Sequence, residues 1–526
     1  MENCSMKSGL KRHLASSLLL VTVAGATAWE STLFPSDEGR YARATLRRDD
    51  HRYRLPDFSF AGYRAGEEPI PDVPVAITLT PQPGDNAVHI NRAIRRLSKR
   101  TPGPHGFRGT ILLDKGTFEI QSQIRIFRDG IVIAGNGPGK TYVYVNSTDF
   151  ARKSAFLVQG PDSDNWLSFP EGERRYALTA DAADQDTFVV VEPGHPFAAG
   201  DTVIVRQWPT RQFARAHGAN GINIWPVTND NTAPKYCRVV RSVSRDTLFF
   251  DEPLRYALGT KHGAHVFRAA FLHGVGIQDL SIGFRKGPDT DNNGRTHRAA
   301  AITMYDVVNG WVKNVHSYKR DDESVHLQSY GFTFRACKWL TIENCTLQDP
   351  QNKNVGGNGY LFNPVCSDDL LFRTCTARNG RHNFTIHYST SGCVFTGCRS
   401  ENSRSDFHQY LATENLFDNF TMAGDSLTAG NRGDKSQGSW WCSSKATLWN
   451  LKGEGAVYLN SFGAGYLIGA EPGVRVGVGA TGILQDYGLR YQPHRQWIET
   501  GEGPVEPASL YEAQVKRRRD RTDGKD

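Results

Sequence analysis

Apolar and polar residues alternate in short runs along most of this chain, and one stretch carries a clear helical period. Ala87, Ile90, Ile94 and Leu97 recur at intervals of 3, 4 and 3, Arg92, Arg95, Arg96 and Lys99 take the other face, and Pro83-Gly84-Asp85-Asn86 supplies a start signal. This predicts an amphipathic helix of about three turns. Strand-length runs follow at 110–113, 118–120, 124–126 and 131–133, each closed by Gly, Asp or Asn. Between 170 and 260 further strands at 187–191, 201–205, 238–240 and 247–250 enclose a segment, 208–234, rich in Trp, Asn and Pro. That region reads as a small β-rich insertion with a long loop of the size that usually carries function.

The strongest signal is repetition. The segments 277–280, 312–315, 342–345, 372–375, 395–398 and 417–420 superpose, with spacings of 35, 30, 30, 23 and 22 between their last residues. Apolar strands that return at such intervals and end in a polar turn predict a parallel solenoid in which one coil stacks on the next. Leu280, Val315, Cys345, Cys375, Cys398 and Phe420 would form an inward ladder, with Asp279, Asn314, Asn344 and Asn419 at the adjoining bend. The sequons at Asn344 and Asn419 and the ladder cysteines are thereby accounted for as structural, and no cysteine pair shows C-x2-C metal spacing.

Composition agrees with an all-β chain: of 526 residues 52 are glycine, aromatics reach 11% and methionine is scarce at 4. The net charge of +7 is shallow, and basic residues are dispersed except at 516–519, so no nucleic-acid partner is expected. Lys7, Lys11 and Arg12, an apolar run from Leu14 to Ala24 and the small residues Ala26-Thr27-Ala28 read as a signal peptide over 1–28, with a secreted or periplasmic mature chain starting at Trp29. Loss of Cys4 would leave eight cysteines. No segment is long and apolar enough to span a bilayer, so no membrane partner is expected, and the expected state is a monomer. The anticipated organisation is an N-terminal arm (29–75), a capping helix and first coils (76–169), the insertion (170–260), the main solenoid (261–500) and a tail (501–526).

The helix, Gly109-Thr-Ile-Leu-Leu-Asp-Lys-Gly-Thr-Phe118, Ile131-Val-Ile-Ala-Gly-Asn-Gly-Pro-Gly-Lys-Thr141 and the polar-turn coils together resemble the pectate-lyase-like superfamily. The resemblance spans roughly 75–165 and 265–500. It implies a single-stranded right-handed parallel β-helix whose open N-terminal end is capped by the helix. The glycines at 135, 137 and 139 are then coil turns, since the string lacks the Lys-Ser/Thr end of a phosphate loop. Asn379–Phe384, Ser405–Leu411 and Pro507–Gln514 resemble exported bacterial β-helix polysaccharide lyases, which implies a carbohydrate substrate.

Aligning the coils on Cys375 and Cys398 sets Arg381 on Arg404, Asn383 on Asp406, Phe384 on Phe407 and Thr385 on His408. With the phenylalanines inward, the polar residues between them face out as one strip. Stacked arginines repel unless an anion lies between them, so they either pair with Asp406 and Glu401 or await an acidic ligand. A uronate-containing polysaccharide supplies one. Removal of its C5 proton needs a neutralised carboxylate, a base and an acid for the leaving oxygen. The neutraliser candidates are Arg381, Asn383 and Arg404, the base candidates His382, His408 and Lys353, and the acid candidates Tyr410 and Tyr388. Asn383, Asp406, His326, Tyr410 and Trp225 are expected to bind substrate. Asp321, Asp322 and Glu323 are a candidate Ca²⁺ site, or a solvated turn. Hydrolysis by carboxylates among Asp321, Asp322, Asp368, Asp369 and Asp406, C5 epimerisation, and a non-catalytic adhesive rod are the alternatives to β-elimination.

Overall fold

The computed structural model describes residues 28–522 except 42, 49–50, 149, 161–171, 218–232, 288–296, 355, 434–438, 479–495 and 502. The expected signal peptide and Trp225 therefore lie outside the described residues, apart from Ala28.

Inward apolar residues stack coil upon coil. On one wall Ile302, Phe332, Phe362 and Phe384 fall in register, and on the next Val312, Ile342, Phe372, Phe395, Phe417 and Leu448. All are fully buried. Repeated parallel pairing of this kind joins 28 strands into one continuous right-handed parallel β-helix. Each central coil has three walls, as in Tyr360–Val365, Leu371–Arg373 and Thr376–Arg378. The corner ladder is as the repeat predicts. Asp279, Asn314, Asn344 and Asn419 all take positive φ, near 50–58°, where a short polar side chain is tolerated. Asn314 donates to Asp279 (2.8 Å) and Asn344 to Asn314 (3.1 Å), so successive coils are tied at the bend. Beside them Cys345, Cys375 and Cys398 are buried as free thiols.

The helix Asn86–Leu97 closes the N-terminal end. Asp85 caps it by accepting from the Ala87 amide, and Ala87, Ile90, Ile94 and Leu97 enter the solenoid core.

The insertion is a six-stranded antiparallel sheet with its own apolar core, and it runs past the expected boundary at 260 because His265–Arg268 pairs with Thr202–Arg206. Buried charges fasten it to the coil turns that follow the Ile302/Phe332/Phe362/Phe384 wall. Arg255 contacts Asp369 (2.5 Å), Glu252 (3.3 Å) and Glu414 (3.2 Å), and Lys338 contacts Glu252 and Asp369. The Cys237 amide donates to Asp368 (2.6 Å). Asp368 and Asp369, hydrolytic candidates by sequence, thus receive the insertion.

The arm and the tail form one unit. Leu510–Thr522 is a helix, and Leu510, Tyr511 and Val515 pack with Leu33, Phe34, Leu55, Phe58 and Ala61 over the outward apolar strip Leu371, Val394, Leu416 and Trp449. Arg517 lies 4.0 Å from the ring centres of both Phe34 and Tyr41. Among the described residues no helix is long and apolar enough to cross a membrane.

Candidate functional site

The site forms on the outer face of the wall that contains Tyr360–Val365, His382–Ile386 and Arg404–Phe407. Pairing between the last two differs from the cysteine alignment. Thr376 faces Arg399 and Arg378 faces Glu401, but after the corner Thr385 faces Asp406 and Ile386 faces Phe407, a slip of two residues. The corner Asn379-Gly380-Arg381 takes up two residues more than its counterpart in the next coil. A slip of two keeps every side chain on its face, so Phe384 and Phe407 are both in the core as expected.

Asn383 is corrected by the same corner. It is fully buried, donates to Ala377 O (3.1 Å), Ser400 Oγ (2.8 Å) and Glu401 O (3.0 Å), and accepts from the Gly380 amide (3.1 Å). It clamps the wide turn and does not face a ligand.

Asp406 is the centre of the outward cluster. Its Oδ1 lies 2.9 Å from His382 Nδ1 and its Oδ2 2.9 Å from His408 Nδ1, while Arg432 Nη1 approaches Oδ2 to 2.5 Å. On the far side of His408, Nε2 meets Tyr360 Oη at 3.2 Å, and that oxygen also accepts from the Gly357 amide at 3.1 Å. Tyr360, His408 and Asp406 therefore form a continuous hydrogen-bonded chain. His387 stacks on His408 at 4.8 Å, and Tyr330 stacks on Tyr360 at 5.2 Å. Relative exposure is 7% for His408, 3% for Tyr360, 2% for Asp406 and 0% for His382, so the chain opens to the surface narrowly, at His408 and Tyr360.

Burial sets the charge states. It lowers the imidazole of His382 to about 3, and it lowers His408, with Arg432 adding repulsion. Burial pushes Asp406 upward, but the two imidazoles beside it outweigh burial and hold the carboxyl well below the usual range, with His408 Nδ1 hydrogen-bonded to Oδ2. At neutral pH the cluster is a carboxylate between two neutral imidazoles. His382, Asp406 and His408 bring their donor atoms within 4.8 Å of one another, but the Arg432 guanidinium already supplies the positive charge at Asp406, so the group fits proton transfer better than cation binding.

Arg381 and Arg404 flank the cluster, both half-buried. Arg381 donates to the carbonyls of Lys353 (3.3 Å) and Asn354 (3.1 Å), and Arg404 donates to Arg381 O (3.4 Å). Among the described residues neither has a carboxylate partner. Glu401, one partner considered for them, is taken by Arg378 (2.7 Å) and Arg399 (2.5 Å), and Asp406, the other, by Arg432.

Other expected members stand apart. Lys353 donates to Asn379 O (3.0 Å) and secures the corner rather than serving as a base. His326 is buried in an earlier coil between Ser317 Oγ (3.2 Å) and Gln348 Nε2 (3.1 Å). Tyr410 is fully buried among Phe213, Leu411, Trp440 and Trp441, and burial drives its phenol well above the usual value, so it neither binds substrate nor donates a proton. Asp321 and Asp322 are exposed, and Glu323 is drawn away to Tyr144 Oη (3.0 Å) and the Lys286 amide (3.1 Å), so the three do not converge as ligands. Sequence reasoning missed Tyr360 and Arg432. Tyr360 could have been found by extending the alignment one coil back, because it faces His382.

No protein-family model and no curated protein sequence matches this chain. Solved structures similar to it are β-helices at low identity. The A-module of the mannuronan C-5 epimerase AlgE4 of Azotobacter vinelandii is 9% identical, with 81% of this chain and 96% of that one covered and a TM-score of 0.33. A polygalacturonase of Erwinia carotovora ssp. carotovora is 9% identical over 84% of this chain and 98% of that one, with a TM-score of 0.32. The Gp54 tailspike of Acinetobacter baumannii bacteriophage AP22, in complex with a capsular saccharide, is 12% identical over 80% and 71% of the two chains, with a TM-score of 0.36.

Proposed function

We propose that this protein is a secreted polysaccharide lyase that withdraws the C5 proton of a uronate residue and cleaves the chain by β-elimination. The observation that carries the reading is the Tyr360–His408–Asp406 chain beside two arginines without carboxylate partners. Arg381 and Arg404 neutralise the uronate carboxylate, which makes the C5 proton more acidic. The neutral His408 accepts a proton through the Tyr360 hydroxyl, and Asp406 stabilises the imidazolium that results. As the C5–H bond breaks, its electron pair forms the C4–C5 double bond and the C4–O4 bond is released. The leaving O4 takes the proton back from the relay.

Hydrolysis by paired carboxylates finds less support. Asp406 is committed to His382, His408 and Arg432, while Asp368 and Asp369 are buried under the insertion. Asp425, raised to about 6 by burial, bonds Ser405 (3.1 Å), which points to the opposite side of the strand from Asp406.

The second reading is a C5 epimerase: it begins with the same removal of the C5 proton by the Tyr360–His408–Asp406 chain and differs in returning a proton to C5 instead of releasing O4. Both readings are tested on a panel of anionic polysaccharides. Ultraviolet absorbance of an unsaturated uronate marks elimination. C5 inversion with solvent deuterium incorporated and no cleavage marks epimerisation. New reducing ends without unsaturation would contradict both.

A further inference from the structure

Arg432 stands in the segment after the strand Thr421–Ala429, outside the repeat that placed the other site residues, yet its guanidinium reaches the centre of the cluster. Nη1 lies 2.5 Å from Asp406 Oδ2 and 3.2 Å from His408 Nδ1. Both nitrogens carry hydrogen when Asp406 is ionised, so they share one carboxylate oxygen rather than bonding each other. We infer that Arg432 is a positioning residue of the relay: its guanidinium anchors Asp406 and excludes a second proton from His408. The inference rests on the proposed role of the relay.

The geometry leaves few other ways to set the charge on His408. It is faced by Tyr360 and His382 from the neighbouring strands, His387 stacked on its ring, Arg404 and Asp406 on its own strand, and Arg432. The Cys442 thiol touches only its backbone carbonyl. Asp406 alone favours the imidazolium; burial and the two arginines oppose it. Arg432 is the arginine in direct contact with both partners. A carboxylate without it would hold the first proton too tightly, and His408 would start the reaction already charged.

The test is nitrogen NMR of the full chain labelled at histidine, with His408 assigned by comparison with His408→Gln, in wild type, Arg432→Gln and Arg432→Lys. In the wild type His408 stays neutral as the pH falls through 6.5, the ordinary imidazole value. In Arg432→Gln its titration midpoint rises by about one unit or more, as expected when a carboxylate loses its opposing cation. Arg432→Lys stays near the wild type. An unmoved midpoint in folded Arg432→Gln, or an equal rise in Arg432→Lys, would overturn the inference. If Arg432→Gln does not fold, Arg432→Met is read in its place against Arg432→Lys, with the same two outcomes. On any polysaccharide the wild type turns over, the acid limb of kcat/KM should move with the midpoint. If it turns none over, the lyase reading fails while the titration still judges Arg432.

Discussion

Asp406 shows how the face a residue takes can be legible while its partners are not. Strand alternation puts it on the outer face, but the sequence offers no way to see that two imidazoles and a guanidinium converge on it. Arg381, Arg404 and His408 were legible for the same reason: a register slip of two residues preserves the face, whereas His382 stands two residues before the inward Phe384 and alternation alone turns it inward. Asn383 was not, because its fate is decided by the width of a corner. Asn383→Ala should therefore remove the clamp on this corner, leave the Gly380 amide without its acceptor and cost about 1–3 kcal/mol, read as a lower denaturant midpoint. By contrast Tyr360→Phe and His408→Ala should lower kcat by roughly 10²–10⁴ in protein that still folds, as circular dichroism would show. With both imidazoles held neutral by burial, the acid limb of the rate profile should lie below pH 6.5, and a limb at or above it would argue against the buried pair as the working groups.

At the scale of elements, the cap helix and coil ladder were readable because each depends on a local period. The docking of the insertion was not, since Arg255 and Lys338 meet carboxylates more than thirty or a hundred residues away. Buried ion pairs contribute little net stability while intact, but loss of one partner leaves an uncompensated charge. Lys338→Met should leave Glu252 and Asp369 to share Arg255 with Glu414, one buried positive charge short, and cost about 3–5 kcal/mol. Hydrogen exchange should show the loss first in the strands Lys235–Ser244 and Thr247–Phe250; protection unchanged there would mean that apolar contacts alone hold the insertion.

For the whole molecule, the solenoid has two ends to close and an outward apolar strip to cover. The cap helix closes one end, and the joined arm and C-terminal helix cover the strip over Leu371, Val394, Leu416 and Trp449. Sequence reading separated arm and tail because no periodicity links residues some 450 apart, such as Phe58 and Gln514 (2.9 Å). It follows that the basic run at 516–519 contributes packing as well as charge: Arg517 on two rings, Arg518 on Phe60. Deleting residues 508–526 should expose the strip, release the arm to protease and lower the unfolding temperature, whereas a protease-resistant arm would show that it holds without the helix.

The central claim is that the Tyr360–His408–Asp406 chain moves the C5 proton of a uronate. It is tested most directly by incubating wild type and His408→Ala with uronate polysaccharides in deuterated water and following unsaturated ends and C5 deuterium together. The account predicts that the wild type produces one of these products and that His408→Ala, equally folded, produces neither. Turnover that persists in His408→Ala, or reducing ends formed with no unsaturation and no deuterium at C5, would contradict it.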